Sequence, residues 1–565
     1  MRLAAAFIAL TLAGAAQAAP ACPPGDFPSF YNSRVMFDTA IERAGDFIAL
    51  EKRPDGIIVP HHLLADRLVA GGIKLAAGHD YDRIILLSPD HFRQTERAFA
   101  TTTRGFDTVL GKVSTDFAAA RRLLAESDKA EESCLFIREH GIAALLPLVA
   151  HYLPGVPVLP VAISIRSSRA DWEALVAALT QFVGERTLIL QSTDFSHFLP
   201  HHEARQRDQQ TLNVLASGAL DDIAKLNQPQ HMDSLGAMYV HAALQQRLRG
   251  SRLRVVANEN GQQYDGKFVA ETTSYLVGAF LPPAAAPLPL PGGAHRLFLA
   301  GDTFFGRAMS RALIDELAAE RVERAVLDLT GGAPLVVNLE GVLLPDLPPD
   351  LPELTLAMPA AQAIDWFKRL NVVAASLANN HAFDLGDSGY AETVEALEAA
   401  GIKRFGQGEA IELPGVRIVG LTDLGTNDSQ ATRLIDPAML DRLLSEDAET
   451  PVVAFAHWGE EYVAAPGERE RELAEEMRRR GVAAIVGAHP HRASDGIASL
   501  GGGDTALVYS LGNFLFDQSA QRASGALAEL TLFEQGTVFV REVPLPNLFD
   551  MARGRQQEPP NPGSR

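Results

Sequence analysis

The sequence contains few cysteines and few tryptophans for its length. Two cysteines and three tryptophans occur among 565 residues. So few cysteines exclude a disulfide-rich scaffold, and a chain of this length is expected to fold around two to four hydrophobic cores. Cys22 and Cys134 could pair in an oxidising compartment or remain separate thiols, and the sequence leaves both outcomes open.

Basic residues are scarce relative to acidic ones. Fifty Lys and Arg stand against seventy Asp and Glu, which gives a formal net charge of −20. Because a phosphate backbone binds to a basic face, no nucleic-acid partner is expected. A polyanionic substrate would need bound cations or local basic patches to overcome the repulsion.

Long apolar runs are also missing. Residues 1–18 have the features of a signal peptide, with Arg2 at the start, an apolar stretch from Leu3 to Gly14, and the small-residue cleavage site Ala16-Gln17-Ala18. This stretch is too short to span a bilayer, and no other segment reaches spanning length. We therefore expect an exported protein, periplasmic or extracellular, with no transmembrane segment in the mature chain.

A proline-rich segment divides the chain. Leu281 to Gly293 contains five prolines in thirteen residues, which excludes a helix or strand interior and predicts a spacer. On both sides, apolar strand-like runs alternate with helical stretches, a pattern typical of α/β domains with largely parallel sheets. The predicted divisions are a domain at 25–280, a linker at 281–294, a domain at 295–545 and a disordered tail at 546–565.

In the C-terminal domain, five apolar runs end in a carboxylate, an amide or an imidazole. The polar ends are Gly301-Asp302, Asn338-Leu339-Glu340, Asn379-Asn380-His381, His457-Trp458-Gly459 and Gly487-Ala488-His489-Pro490-His491. These residue types ligate divalent cations, and sites in α/β sheets gather at the carboxyl ends of strands. Each motif alone is more often a turn or a structural residue. Together they predict a metal centre.

The same motifs resemble those of the CapA family, in order. They are G-D-T-F-F-G-R from Gly301, N-L-E, A-N-N-H-A-F-D, H-W-G-E-E-Y, G-A-H-P-H, and Y-S-L-G-N-F-L-F-D from Tyr509. CapA proteins are capsule-synthesis proteins linked to poly-γ-glutamate, and their fold is similar to that of calcineurin-like metallophosphoesterases. The resemblance covers about Arg296 to Val543 and implies a four-layer α/β/β/α sandwich with a two-metal centre.

The resemblance also implies a role for each matched residue. The implied ligands are Asp302 and His491 on a first metal, Glu340 bridging two metals, and Asn380, His457 and His489 on or beside the second. His381 would be the catalytic residue, acting as a general acid on the leaving group. Metallophosphoesterases have a histidine two residues after the aspartate, where this chain has Phe304. This difference leaves either a weaker first site or a mononuclear centre.

The N-terminal domain has polar strand ends of its own. They are His61-His62, Ser88-Pro89-Asp90-His91 and Ser192-Thr193-Asp194-Phe195-Ser196-His197, while Glu139-His140-Gly141 opens a helix. They resemble the MEMO-like family (AmmeMemoRadiSam system protein B), whose α/β fold is related to the metal-dependent extradiol dioxygenases. The resemblance spans roughly Asp55 to Phe280 and implies a metal site made of His61, His91 and a downstream cysteine.

The cysteine of the MEMO-like site is absent. The matching stretch, Met232 to Gly236, contains none. His140, Asp194 or His197 could substitute as ligands of this second metal site. Two interpretations of this domain stay open: it is catalytic, or it is a degenerate binding or scaffolding module.

Together, these features predict an exported CapA-like, metal-dependent hydrolase that acts on a phosphoester or related bond in envelope or capsule polymer metabolism. The expected cofactors are divalent metal ions, with Mn, Fe, Zn and Mg all open. The expected partner is an anionic envelope or capsule polymer or a small phosphoester. The alternatives are a non-catalytic accessory protein for polymer binding or export, and a metal-dependent redox function in the MEMO-like domain.

Overall fold

The computed structural model describes residues 22, 24–264, 269–283, 286–352, 354–425, 432–444 and 449–555. The predicted signal peptide at 1–18 lies outside these residues, as does the 556–565 part of the predicted tail. Among the described helices, none combines the length and the apolar character needed to cross a membrane. Cys22 and Cys134 are joined in a disulfide.

The N-terminal half is built on a mixed sheet with the strand order β10-β11-β1-β8-β2-β7-β3-β6, and β9 pairs with β11. Its central pairs β1–β8, β8–β2 and β2–β7 are parallel. The strands of this half, including a separate β4–β5 hairpin, are β1 (Gly56–Val59), β2 (Arg83–Asp90), β3 (Phe99–Thr101), β4 (Phe106–Thr108), β5 (Gly111–Val113), β6 (Ala130–Glu132), β7 (Val158–Ser164), β8 (Thr187–Ser192), β9 (His197–Leu199), β10 (Arg252–Asn260) and β11 (Thr272–Leu281).

Helices cover both faces of this sheet. Successive side chains of β1 enter different cores, since Ile57 and Val59 pack in one buried cluster and Ile58 in another. A strand buried on both faces is expected to be continuously apolar, as β1 is. The helices are α1 (Arg34–Arg43), α2 (Asp66–Lys74), α3 (Phe117–Glu126), α4 (His140–Ala143), α5 (Leu146–Tyr152), α6 (Arg169–Thr180), α7 (His201–Ser217), α8 (Leu220–Ile223) and α9 (Leu235–Leu248).

The C-terminal half contains two larger sheets. Their strand orders are β17-β16-β13-β12-β24-β25 and β18-β19-β20-β21-β23-β22, and β14 pairs separately with β15. The strands are β12 (His295–Thr303), β13 (Leu335–Leu339), β14 (Val342–Leu344), β15 (Ala357–Pro359), β16 (Val372–Ser376), β17 (Lys403–Phe405), β18 (Ala410–Leu413), β19 (Val416–Thr422), β20 (Val452–His457), β21 (Ala484–Ala488), β22 (Ala498–Leu500), β23 (Thr505–Val508), β24 (Gly525–Phe533) and β25 (Thr537–Leu545).

The two sheets pack face to face between layers of helices. Leu299 of β12 and Val453 of β20 share a core between the sheets, whereas Phe298 points to the core under the helices on the outer face. The helices are α10 (Arg307–Ala312), α11 (Glu316–Thr330), α12 (Ala360–Arg369), α13 (Gly386–Ala399), α14 (Pro437–Leu443), α15 (Glu468–Arg479) and α16 (Leu548–Ala552). The predicted α/β class and the α/β/β/α sandwich are confirmed.

The two halves are packed against each other. Asn213 of α7 donates a 2.8 Å hydrogen bond to the carbonyl of Gly503, and Gln209 of α7 donates one of the same length to the carbonyl of Val538. Leu288, within the predicted linker, is buried in a core cluster of the N-terminal half. The described part of the proline-rich segment around Leu288 therefore packs against the N-terminal half and does not hold the halves apart.

The predicted disordered tail begins too early. Within 546–555 the chain forms α16, whose Leu548 and Phe549 are buried in the core beneath the first sheet. Asn547 caps this helix by accepting a 2.9 Å hydrogen bond from the backbone N–H of Asp550. The short apolar segment is ordered because it covers that core. In the sequence, the polar residues that follow this segment obscure its apolar character.

Candidate metal centres

The C-terminal candidate ligands meet where parallel strands of both sheets end. Asp302 is near the end of β12, Glu340 follows β13, and Asn380 lies in the loop after β16. His457 ends β20, and His489 and His491 follow β21. The pairs β12–β13 and β13–β16 of the first sheet and β20–β21 of the second are all parallel, so within each sheet the carboxyl ends of these strands lie at one edge.

The side chains form two overlapping groups with Glu340 in common. One group is Asp302, Glu340 and His491, and the other is Glu340, His457 and His489. In each group the potential ligand atoms lie within 4.8 Å of one another. The CapA resemblance implies two metals with a similar division of ligands, and this assignment stays a prediction.

Unpaired buried atoms indicate that a cation fits this site. Glu340 Oε2 and His489 Nδ1 are buried and have no hydrogen-bond partner among the described residues. Burial, together with the nearby carboxylate of Asp302, raises the pKa of Glu340. Because such groups are costly to bury unpaired, and because carboxylates and imidazoles ligate divalent cations, the donor set suits one or two such ions.

Imidazole groups in the site differ in their protonation. Burial lowers the pKa of His489 to about 4, and burial also lowers the pKa of His457 well below its ordinary value. Both rings are therefore neutral at neutral pH, which is the form that binds metals. For His491, burial opposes protonation, but Glu340 and Asp302 prevail and raise its pKa to about 9.

Asn338 connects the two groups. Its Nδ2 donates to Asp302 Oδ1 at 2.9 Å and lies 3.0 Å from His457 Nδ1. His457 Nε2 lies 2.8 Å from Asn380 Oδ1, the other amide proposed to serve the same metal. In the motif N-L-E, the sequence predicts Glu340 as a ligand. The structure shows that the asparagine of the same motif orients one candidate ligand from each group.

Backbone strain marks the segment His489-Pro490-His491. His489 has φ 96° and His491 has φ 55°, and both values lie in the left-handed region that residues other than glycine rarely adopt. The ring of His491 is held by Asn513, whose Oδ1 accepts from Nδ1 at 2.8 Å. Such strain concentrates at functional sites, where the surrounding structure enforces it.

Phe304 does not contribute a polar group to the site. It is fully buried, and its ring centroid lies 5.4 Å from that of Phe516. Both rings belong to the core beneath the first sheet. The first group therefore consists of two carboxylates and one imidazole.

His381 lies beside the two groups and remains partly exposed. Its Nε2 is 3.9 Å from Glu340 Oε1, and 22% of its side chain is accessible. Nδ1 donates to Asp384 Oδ2 at 2.8 Å. Burial alone would lower the pKa of His381, but the hydrogen bond to Asp384 and the charge of Glu340 raise it above its ordinary value.

A second cluster lies at the strand ends of the N-terminal sheet. Two overlapping groups have ligand atoms within 4.8 Å of one another, namely His61 with His91 and His140, and His61 with Asp194 and Asp233. His61 follows β1, His91 follows β2 and Asp194 follows β8. Asp233 directly precedes Ser234, the N-cap residue of α9.

Asp233 was not among the predicted ligands. It occupies the stretch in which the family resemblance calls for a cysteine. Its Oδ2 lies 3.2 Å from His61 Nε2 and 3.4 Å from His91 Nε2. The signal in the sequence is an aspartate in the stretch where the family resemblance implies a cysteine.

His197 lies outside the groups of potential ligands found among the described residues. Its Nδ1 donates to the carbonyl of Phe195. It lines the adjacent cavity instead. His140 and Asp194, the other predicted substitutes, do lie within the cluster.

The N-terminal cluster opens into a cavity of about 1050 Å³. Its wall includes the metal-ligand candidates and several apolar side chains, among them Met36, Leu64 and Phe198. The size exceeds that of a buried water site and suits a small organic ligand.

Two family models match the chain, each within a different half. Residues 34–274 match the Memo-like protein family, and residues 296–416 and 426–518 match the bacterial capsule synthesis protein family PGA_cap. These matches cover the halves that carry the two clusters.

Curated relatives divide in the same way. Capsule biosynthesis protein CapA of Bacillus anthracis is 32% identical over 209 residues, which is 33% of this chain and 50% of that protein. PGA biosynthesis protein CapA of Bacillus subtilis (strain 168) is 32% identical over 31% of this chain and 51% of its own length. A MEMO1 family protein of Pyrobaculum arsenaticum is 24% identical over 28% of this chain and 59% of that protein. The chain thus spans about half the length of the CapA relatives.

Among solved structures, a novel phosphatase of Mycoplasma pneumoniae matches 46% of this chain and 96% of its own, with 14% identity and a TM-score of 0.29. A hypothetical protein of Thermus thermophilus matches 44% of this chain and 100% of its own, with 19% identity and a TM-score of 0.28. The N-terminal region is thus similar to the Memo-like protein family, and the C-terminal region is similar to the PGA_cap capsule-synthesis family.

Proposed function

We propose that the C-terminal domain is a metal-dependent hydrolase that cleaves a phosphoester or a related bond in an envelope or capsule polymer of the poly-γ-glutamate type. The observation that carries this proposal is the shared position of Glu340 in two groups of potential ligands. Bound divalent cations would supply a nucleophile at neutral pH and stabilise negative charge on the attacked group. The names of the CapA relatives, which refer to capsule and PGA biosynthesis, support the choice of polymer.

His381 is the residue proposed to move a proton. Its Nδ1 is engaged by Asp384, so Nε2 remains available and points toward Glu340. A partly exposed imidazole with a raised pKa is protonated more readily than a free one, and once protonated it can donate to a departing oxygen. This is the general-acid role that the resemblance implies.

An anionic polymer could approach this site despite the net charge of −20. The guanidinium of Arg522 lies 4.6 Å from the ring centroid of Tyr462, and that ring lies 5.9 Å from the ring of His491. Arg522 is exposed, and together with bound cations it would provide local positive charge for acidic groups of the polymer.

Export is part of the proposal. The disulfide between Cys22 and Cys134 is of the kind that persists in oxidising compartments. It supports the periplasmic or extracellular location expected from residues 1–18.

Metal analysis combined with hydrolysis assays tests the proposal. The purified chain, loaded with Mn²⁺, is assayed on phenyl phosphate and diphenyl phosphate, whose poor leaving groups demand an acid. Turnover that requires metal and falls by about 100-fold or more in His381→Ala supports it. His295→Ala, an exposed histidine at the start of β12, is the matched control and should keep full activity. Absence of bound metal, or equal activity in His381→Ala, contradicts it.

A second candidate function is metal-bridged binding of an anionic polymer without turnover. It is favoured by Phe304, which stands where metallophosphoesterases have a histidine ligand and which is buried in the core. This function predicts saturable binding of poly-γ-glutamate that a chelator abolishes, with no change in the length of the polymer. Shortening of the polymer during the same incubation would favour the hydrolase.

A further inference from the structure

The N-terminal cavity carries a site that the proposed hydrolase does not use. We propose that it binds a hard or borderline divalent cation on His61, His91 and Asp233 and, beside the cation, a small organic anion with an apolar body. The inference is independent of the hydrolase proposal, because every residue in it belongs to the Memo-like region.

Both imidazoles are oriented as ligands usually are. His61 Nδ1 donates to Ser192 Oγ at 3.0 Å, and that hydroxyl donates to the carbonyl of Gly141. His91 Nδ1 is held by Glu139 Oε1 at 2.6 Å, and Glu139 Oε2 accepts from the His91 backbone N–H at 3.0 Å. Each ring therefore uses Nδ1 for a supporting hydrogen bond and presents Nε2 to the same point.

Asp233 occupies that point. Its Oδ2 lies 3.2 Å and 3.4 Å from the two Nε2 atoms. Its Oδ1 is buried with no hydrogen-bond partner among the described residues, and the whole residue is 7% exposed. An unpaired buried carboxylate oxygen is costly, and a cation between the three side chains would satisfy it.

The donor set determines which cations fit. Two imidazoles and a carboxylate favour Mn²⁺, Fe²⁺ or Zn²⁺, whereas a thiolate in the same position would favour soft ions such as Cu⁺. Asp194 is available as a further oxygen donor, since its Oδ2 lies 3.4 Å from His61 Nε2 while its Oδ1 accepts from the His61 backbone N–H. The replacement of the expected cysteine therefore changes the metal preference of the site and does not abolish it.

The cavity wall indicates what binds beside the cation. Met36, Leu64 and Phe198 provide apolar surface, and Arg93 and Arg166 provide two guanidinium groups. Neither guanidinium forms an ion pair or a side-chain hydrogen bond in the part of the chain that the structure describes. Two uncompensated cations next to apolar surface suit an organic anion, such as a carboxylate on a hydrophobic body.

Counting bound Mn²⁺ tests the metal part of the inference. Glu340→Gln in the full chain removes the C-terminal ligand shared by both groups, so the metal that remains reports the N-terminal site. We expect Glu340→Gln to retain one equivalent and Asp233→Asn/Glu340→Gln to lose it, while the control Asp221→Asn/Glu340→Gln, at an exposed aspartate, retains it. Retention in the Asp233 variant, or no metal in Glu340→Gln alone, overturns the inference.

Asp233→Cys provides a second test, and its result does not depend on loss of metal from the site. A thiolate at this position should shift the preference from Mn²⁺ toward Cu⁺ by at least about 10-fold in a competition experiment. An unchanged preference would show that residue 233 is not a ligand. If Glu340→Gln loses no metal, the hydrolase proposal fails, and the comparison of Asp233→Asn with the wild type still decides this inference.

Benzoate and the uncharged benzyl alcohol test the ligand class by calorimetry on the Mn²⁺-loaded Glu340→Gln chain. We expect benzoate to bind more tightly, and Arg93→Gln/Arg166→Gln to weaken benzoate binding by at least about 10-fold without changing the metal count. Equal affinity for the two probes, no binding of benzoate at millimolar concentration, or benzoate binding that is unaffected by the two substitutions overturns this part.

Discussion

Asp384 holds His381 in place: its Oδ2 accepts from His381 Nδ1 at 2.8 Å and from the backbone N–H of Leu356 at 2.7 Å. One carboxylate oxygen thus ties the loop after β16 to the segment before β15. The sequence placed Asp384 near the histidine without assigning it a role. The structure makes it the residue that fixes which nitrogen of His381 faces Glu340.

This relationship predicts how Asp384→Asn alters hydrolysis. With the positioning contact weakened, we expect kcat for phenyl phosphate to fall by about 10- to 100-fold while KM changes little. A good leaving group needs less protonation, so hydrolysis of p-nitrophenyl phosphate should fall much less. Steady-state kinetics on both substrates measure this. Equal losses on both substrates would indicate a structural role and contradict the positioning role.

Asn338→Ala should weaken metal binding in both C-terminal groups. Asn338 donates to Asp302 and contacts His457, and loss of such supporting contacts typically costs about 10- to 100-fold in metal affinity. Titration with Mn²⁺ at low protein concentration measures the change. If affinity is unchanged, Asn338 does not orient these two side chains.

The sequence allowed the prediction of the strand-end residues because a buried apolar run that stops at polar groups is visible without a structure. His61, His91, Asp302 and His457 each follow or end such a run. The alternation of strands and helices also predicted two α/β halves. Their long-range order was not predictable in the same way, since β12 pairs with β24, far away in the sequence, and no local pattern encodes that contact.

The residues that were missed have a common physical feature. Asp233 lies in a loop before α9, and Asn338 acts through other side chains, so neither has a periodic or strand-end signal that identifies its role. The helix α16 was missed for a related reason, because its few apolar residues are ordered by the core that they cover. The roles of these residues depend on which groups, distant in the sequence, lie close together in the fold, so the structure is needed to identify them.

Cys134→Ala should lower the free energy of unfolding. The disulfide joins residues separated by 112 positions, and in the chain-entropy description a crosslink over a loop of that length destabilises the unfolded chain by about 5 kcal/mol. Urea unfolding of oxidised wild type, reduced wild type and Cys134→Ala measures the effect. Equal unfolding midpoints for the oxidised and reduced wild type would contradict the prediction.

Asp208 should make the junction between the halves sensitive to pH. Burial raises its pKa to about 6, while hydrogen bonds from Ser196 and Gln535 oppose the shift only in part. A carboxyl group whose pKa is raised in the folded state stabilises the fold below the unfolded pKa of about 3.9, and this stabilisation is lost as the pH rises through the folded pKa.

Stability should therefore decline between about pH 4 and about pH 6 through this group, and Asp208→Asn should flatten that part of the profile. The measurement is the urea midpoint of both proteins at a series of pH values. Because the other groups titrate in both proteins, the difference between the two profiles gives the contribution of Asp208 to the pH dependence of stability. Parallel profiles would contradict the assignment.

The central claim is that one carboxylate, that of Glu340, serves both C-terminal groups, and the most direct measurement is the number of Mn²⁺ equivalents bound per chain after removal of free metal. His491→Ala and His489→Ala each remove a ligand from one group, so each should cost one equivalent. Glu340→Gln should cost two in a single substitution. Loss of one equivalent or none in Glu340→Gln would contradict the shared site.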